Sequence, residues 1–413
     1  MTGLRIVRLA FAGLAGWALF AGARESSFAS FDRRAKAGEP MTVVFFGGSL
    51  TWGANASDPQ LTSYRGRMMS YLRARYPRAP LAFYDASIGG TGSDLGVFRL
   101  DRDVLSREPD LVFLDFMAND NYAGTDRETC CFYETLLRRM IREGVAVEQM
   151  YFGFKGQFGA GYDLAKAPRR TAYRRLAEEY RVAEGDLFPV MQAAATNGTL
   201  SPDAAWPIDG GHPGDAGYGL FFEAARNGFE SAVRAGLAAH VPAVPVFGEV
   251  TGVRRIRLAD GPLPVGWNPM RTYRTALWFD GQSSRWMGDV AGCDAKDGDS
   301  VQPLTLAFSG NVVGLFGESN ENGLDVHVRL DGRTLACGGP DETVWPFRHR
   351  FGQGNLFIWR RTREPVAVGA HALELSPALP KEGTRGQLRI ESVCVATLAV
   401  RGESASPAKA ENE

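Results

Sequence analysis

The sequence predicts an α/β domain built on a doubly wound parallel sheet, followed by an antiparallel β-sandwich. Two patterns carry this expectation. Between residues 41 and 240, short apolar runs alternate with amphipathic stretches of helical spacing. Strands separated by helices imply parallel β-α-β units. Beyond His240-Val241-Pro242-Ala243-Val244-Pro245 the long helical period disappears, and short alternating segments are punctuated by Asp280-Gly281, Asn322-Gly323 and Asp331-Gly332. Such turns join antiparallel strands.

Each element has its own justification. Residues 42–46 form an apolar run closed by Gly47-Gly48, as a short buried strand requires. Ser63 caps a helix over 64–76, with Met68, Met69 and Leu72 at helical spacing and Pro77 as its stop. Segments 81–84, 111–116 and 147–154 read as the next strands. Helices are expected over about 97–107, 126–143, 169–180 and 215–235. In the second unit, 304–308, 312–316, 324–330, 371–375 and 387–395 read as strands. The expected organisation is an α/β domain over 41–240 and a jelly-roll-like sandwich over 246–402. A polar linker is expected over 24–40 and a disordered tail over 403–413. Pro242 and Pro245 stiffen the short connection, which favours a docked second domain over a tumbling one.

Composition excludes several function classes. The 413 residues hold 46 basic and 47 acidic side chains, a net charge of -1. That balance gives no electrostatic basis for binding nucleic acid or an anionic membrane surface. Five cysteines (Cys130, Cys131, Cys293, Cys337 and Cys394) show no C-x-x-C spacing, and a disulfide among the last three is left open. No His/Asp/Glu cluster has metal-ligand spacing, so neither metal nor cofactor is expected. At the N-terminus, Arg5 and Arg8 precede an apolar run over 9–19 that ends in Phe20-Ala21-Gly22-Ala23. This is the layout of a secretory signal peptide over 1–23, placing the mature protein in the periplasm or outside the cell. The alternative is an uncleaved anchor, but the run falls short of the ~20 apolar residues of a spanning helix.

Four motifs carry the chemistry. Strand 42–46 runs into Gly47-Gly48-Ser49-Leu50-Thr51, which puts a small nucleophile at a strand end, where open α/β sheets bind ligands. Alone, this is equally an ordinary glycine-rich turn. It is not a G-x-S-x-G elbow, because Thr51 stands where glycine is needed. The next strand ends in Ala86-Ser87-Ile88-Gly89-Gly90-Thr91-Gly92, and Leu95 breaks a dinucleotide-binding G-x-G-x-x-G. The third ends in Met117-Ala118-Asn119-Asp120, where a side-chain amide is either a turn former or a hydrogen-bond donor. Asp209-Gly210-Gly211-His212-Pro213 precedes the last helix of the domain. In that spacing a carboxylate can hold one imidazole nitrogen while the other faces a serine. By itself the motif is also what a chance surface turn looks like.

Taken together, these blocks resemble the SGNH (GDSL-type) hydrolase superfamily over about residues 41–235. The resemblance implies a flavodoxin-like α/β/α domain with Ser49 as nucleophile, His212 as general base and Asp209 as its orienter. The N–H groups of Ser49 and Gly90 and the amide of Asn119 would form the oxyanion hole, with no cofactor or metal. Two positions depart from the pattern: Gly48 stands where the family usually has Asp, and Met117 where it usually has Gly. With the signal peptide and second domain, the chain resembles secreted bacterial carbohydrate esterases. That implies removal of O-acetyl groups from a polysaccharide or oligosaccharide through an acyl-serine intermediate. A short-chain lipolytic esterase and a catalytically inactive carbohydrate-binding protein are the alternatives. Trp267, Trp278, Trp286, Trp345 and Trp359 are candidates either for stacking on sugars or for the core of the second domain. Trp52 and Trp206 are expected to flank a small acyl pocket or to pack inside.

Overall fold

The computed structural model describes residues 25–274, 283–337, 343–348, 355–363, 365–380 and 384–401. The expected signal peptide, the expected tail, Trp278 and the Asp280-Gly281 turn lie outside the described residues.

The first domain is a parallel sheet of β1 (Met41–Gly47), β2 (Leu81–Asp85), β3 (Leu111–Asp115), β4 (Ala146–Tyr151) and β5 (Ala183–Asp186). The order is β2-β1-β3-β4-β5, and every pairing is parallel. β1 and β3 are apolar along most of their length because helices cover both faces of the sheet. Edge strand β2 instead alternates between exposed and half-buried residues. The helices are α1 (Phe28–Ala37), α2 (Ser49–Trp52), α3 (Tyr64–Arg75), α4 (Ser93–Arg99), α5 (Arg127–Arg142), α6 (Pro168–Tyr180), α7 (Leu187–Asn197), α8 (Pro202–Ala205) and α9 (Asp215–Ala235). α1, α3 and α7 pack around α9 on one side, and α4 and α6 pack against α5.

Three expectations need correction. Segment 24–40 is not a linker, because it holds α1, capped by Ser27 and stopped by Gly38. Phe28, Phe31 and Ala35 recur at helical spacing and are buried, with both rings edge-on to Phe229. The fourth strand ends at Tyr151 rather than 154. Past it, the Phe154 N–H turns to the Gln157 side chain and the Lys155 N–H to the Gly210 carbonyl, so the chain leaves the sheet to cross toward His212. The helix expected from about 97 begins at Ser93, because the Asp120 carboxylate accepts the Ser93 N–H at 2.8 Å and opens the helix earlier. β5 and α7 are additional elements: β5 is only four residues, Ala183 to Asp186, and α7 carries Pro189 in its first turn within an apolar run.

The second unit is antiparallel throughout. Its strands are β6 (Gly248–Arg257), β7 (Asn268–Met270), β8 (Val290–Lys296), β9 (Leu304–Gly310), β10 (Val312–Ser319), β11 (Val326–Leu330), β12 (Arg333–Thr334), β13 (Leu356–Arg361), β14 (Gly369–Pro377) and β15 (Arg385–Val400). One six-stranded sheet runs β13-β10-β15-β8-β7, with β6 also paired to β15, and faces a four-stranded sheet β12-β11-β14-β9. Trp267 and Trp345 are buried between them, among Val313, Leu315, Val328 and Leu375. All five cysteines are buried and none is disulfide-bonded, so the disulfide left open above does not form.

The second domain is docked. Val250, Trp286, Met287, Val312, Phe316 and Leu398 belong to the same buried apolar cluster as the α/β core. At the junction, the Glu134 carboxylate on α5 accepts the N–H groups of Val246, Phe247 and Gly248 at 2.6, 2.7 and 3.3 Å. Glu134 is fully buried. Glu134→Ala leaves several buried donors without an acceptor and should cost about 3 kcal/mol of stability. A urea midpoint within error of wild type would show that the junction does not depend on this carboxylate.

Candidate active site

The strand order reverses between β1 and β3, and open α/β sheets bind ligands in the crevice beyond that point. Ser49 follows β1 directly and is the first residue of the one-turn helix α2. A first-turn N–H has no acceptor within its own helix, so the Ser49 N–H is left for a ligand. The backbone here is crowded. A Cβ on Gly47 would lie 2.4 Å from both the Asp115 carbonyl and Thr51 Oγ1, and one on Gly48 would lie 2.1 Å from Asn119 Oδ1. A side chain at position 48 would meet the end of the Asn119 side chain.

Buried polar groups hold the α2 turn from beneath. Thr51 Oγ1 donates to Asp115 Oδ2 at 2.8 Å and lies 3.1 Å from the Tyr64 hydroxyl. The Arg65 guanidinium donates to the carbonyls of Thr51 and Trp52, both at 3.2 Å. Asp115 sits at the end of β3, and its ionisation is pushed up to about 7. Burial is the main cause and the Asp120 charge adds to it, against the Thr51 hydrogen bond. Burial likewise pushes Asp120 up to about 7, despite hydrogen bonds from Tyr173 and Ser93. Asp120 ties the third motif to the second through its bond to Ser93.

The structure brings Ser49, His212 and Asp209 together. Ser49 Oγ lies 2.9 Å from His212 Nε2, and His212 Nδ1 lies 3.2 Å from Asp209 Oδ2. The other carboxylate oxygen of Asp209 accepts the N–H groups of Gly211 and His212, both at 2.7 Å. Partial burial raises the Asp209 carboxyl, but hydrogen bonds from the His212 N–H, Asn55, Gly211 and the imidazole outweigh it. The net effect holds Asp209 below the ordinary carboxylate range. Gly90 sits exposed on its loop with φ of +74° and open space above its Cα. Asn119 lies in the turn after β3, exposed at the crevice and in contact with the Gly48 backbone.

Asn55 was not visible as a site residue in the sequence. It has φ of +66°, and its Nδ2 donates to Asp209 Oδ2 at 2.8 Å and to the His212 carbonyl at 3.3 Å. The only local signal was an asparagine shortly after a glycine-rich loop; its partner is 154 residues away in sequence. Asn55→Gly keeps the left-handed backbone and deletes the amide. A hydrogen bond to a charged group is worth about 1.5 kcal/mol, so kcat should fall about tenfold with little change in KM. An unchanged kcat would limit Asn55 to shaping its loop.

Trp206 does not wall an acyl pocket. It is fully buried, with its ring near Phe158 and Phe221, whereas Trp52 is half-buried. Among the described residues no group of three or more His, Cys, Asp or Glu could hold a metal. No helix there is long and apolar enough to cross a membrane.

A serine paired with a carboxylate-held histidine, set at the switch point of a doubly wound sheet, defines a carboxylic ester hydrolase. Residues 45–220 match the model of the GDSL-like Lipase/Acylhydrolase family. That match spans most of the α/β domain and less than half of the chain. Comparison with curated proteins gives no match. Two structures of a two-domain esterase (CEX) active on acetylated mannans share the fold, one of them co-crystallized with mannopentaose. Their TM-scores are 0.68 and 0.66 at 22% and 21% identity, over 89% and 90% of this chain and 94% and 95% of theirs. Axe2, an acetylxylan esterase from Geobacillus stearothermophilus, aligns over 47% of this chain and 96% of its own, at 22% identity and a TM-score of 0.39.

Proposed function

We propose that this protein is a secreted serine esterase that removes O-acetyl groups from a polysaccharide. The observation that carries the reading is the 2.9 Å contact between Ser49 Oγ and His212 Nε2, backed by Asp209. His212 Nε2 takes the hydroxyl proton as Ser49 Oγ bonds to the acetyl carbonyl carbon. The oxyanion is received by the N–H groups of Ser49 and Gly90 and the amide of Asn119. On collapse the C–O bond to the sugar breaks, and His212 returns its proton to the leaving sugar oxygen. Water, deprotonated by the same imidazole, then attacks acetyl-Ser49 and releases acetate and the free serine. The sugar substrate is supported by the fold shared with CEX, whose own substrates are acetylated mannans. Export rests on the basic and apolar N-terminal segment 1–23.

Acetate release by the full chain from acetylated mannan and acetylated xylan tests this, with aryl esters of increasing acyl length alongside. Release from a polysaccharide, lost in Ser49→Ala, is expected. Rates that climb from acetyl to octanoyl esters with no polysaccharide activity would assign a lipolytic esterase. Sugar binding without turnover of any ester would assign a binding protein.

The oxyanion role of Asn119 has its own test. In Gly48→Ala the new methyl group displaces only the end of a flexible side chain, so the fold should survive while the amide moves. Losing one such donor costs ~10²–10³ in rate. Wild-type aryl acetate kinetics in that variant would remove Asn119 from the oxyanion hole.

A further inference from the structure

Of the second-domain tryptophans that could stack on sugars, Trp267, Trp286 and Trp345 are buried. Trp359 lies with its ring against Gly314 and its Nε1 donating to Asp94 across the domain seam. A different pair of rings stands at the crevice. Tyr122 follows Asn119 by three residues, so their Cα atoms are at most about 11 Å apart. Phe154 precedes Lys155, whose N–H donates at 3.0 Å to the carbonyl of Gly210, two residues before His212. The Tyr122 and Phe154 ring centroids are 5.3 Å apart, with the rings inclined by 59°. The pair therefore spans from the turn that carries Asn119 to the loop that carries His212, beyond the carboxyl ends of β3 and β4.

Both rings are partly exposed, and buried polar side chains fix the loops beneath them. Arg169 is fully buried and donates to the carbonyls of Asp120 and Asp126 at 3.1 and 3.0 Å, while its own N–H donates to the Tyr122 carbonyl at 3.2 Å. Gln157 is also buried; it accepts the Phe154 N–H at 2.8 Å and donates to the Tyr162 hydroxyl at 3.1 Å. Tyr122 rests against the α/β core, but Phe154 belongs to neither apolar core. An aromatic ring that the core does not use, held at a crevice by a fixed loop, has little freedom left to lose on binding.

The reaction decides what lies on this side. His212 Nε2 must hand its proton to the departing oxygen, so the alcohol part of the ester sits beside His212. The carbonyl oxygen points instead to the N–H groups of Ser49 and Gly90. A pyranose ring presents an apolar face of C–H groups, which packs on the face of an aromatic ring. We propose that Tyr122 and Phe154 form the subsite for the sugar ring that bears the acetyl group. The inference rests on the esterase reading and adds the side chains that select a sugar over a simple alcohol.

Two measurements on the full-length protein test it. In the first, kcat/KM on acetylated mannan is divided by kcat/KM on ethyl acetate, whose small alcohol is too short to cover the rings. Phe154→Ala should lower this ratio about tenfold, the size of one aromatic contact. Phe154→Leu, which keeps most of the volume but not the flat face, should lower it as well, and Phe154→Trp should keep it. An unchanged ratio in the alanine and leucine variants overturns the proposal. So does an altered preference between ethyl acetate and ethyl butyrate at an unchanged sugar ratio, which would put the rings on the acyl side. In the second, calorimetry reads the binding of mannopentaose and xylopentaose to Ser49→Ala. Binding that weakens when Phe154→Ala is added supports the subsite even if no ester is turned over. Binding of equal strength, or of neither sugar, overturns it. Failure of the wild type on every ester, ethyl acetate included, would instead count against the esterase reading.

Discussion

Ser49→Ala should lower kcat/KM for an aryl acetate by about 10⁴-fold or more, since removing a nucleophile that acts as a unit with its base is among the most severe single changes. The Oγ is the only atom at position 49 able to bond to the acyl carbon, and its proton acceptor lies 2.9 Å away. The fold should hardly notice. Ser49 opens a one-turn helix whose position is set by Thr51, Asp115 and Arg65, none of which bonds to its hydroxyl. The melting temperature should therefore stay within about 2 °C of wild type. Residual activity above about a tenth of wild type, with enzyme purity established, would remove Ser49 as the nucleophile.

His212→Ala should be as severe, about 10⁴-fold or more, because a serine hydroxyl is a weak nucleophile without its base. The double variant with Ser49→Ala should be no worse than either alone, since both remove the same step. Asp209 is held below the ordinary carboxylate range, so its charge stays beside the imidazole as the proton moves. Additive losses in the double variant would place the base elsewhere.

Much of the site was legible because it is written locally. Ser49, Gly90 and Asn119 each follow an apolar run, and an apolar run bounded by glycine or polar residues is a strand end whatever lies around it. Asp209 and His212 are close enough in sequence for their turn to bring them together. The misread elements failed for physical reasons. α1 hides its apolar stripe among Arg33, Arg34 and Lys36, so a helix that buries Phe28 and Phe31 resembles a polar linker. Strands β6, β8 and β13 carry Glu, Arg, Asp or Lys among their apolar residues, which masks the alternation from which a strand is read.

By itself, then, the sequence determined the alternation of strands and helices, the turn to antiparallel structure near residue 246, and the strand-end placement of the reacting groups. Those follow from periodicity and chain direction, which act over a few residues. Only the tertiary structure decided that Asn55 holds Asp209 and that Asn119 fills the space above Gly48. It also decided that Asp120 opens α4 and that Arg361 at the end of β13 meets Asp94 in the first turn of that helix. Each of these is a meeting of side chains far apart along the chain, Asn55 and Asp209 by 154 residues and Arg361 and Asp94 by 267. No local pattern encodes such a meeting: it arises when the sheet order and the docked seam bring distant segments to the same crevice.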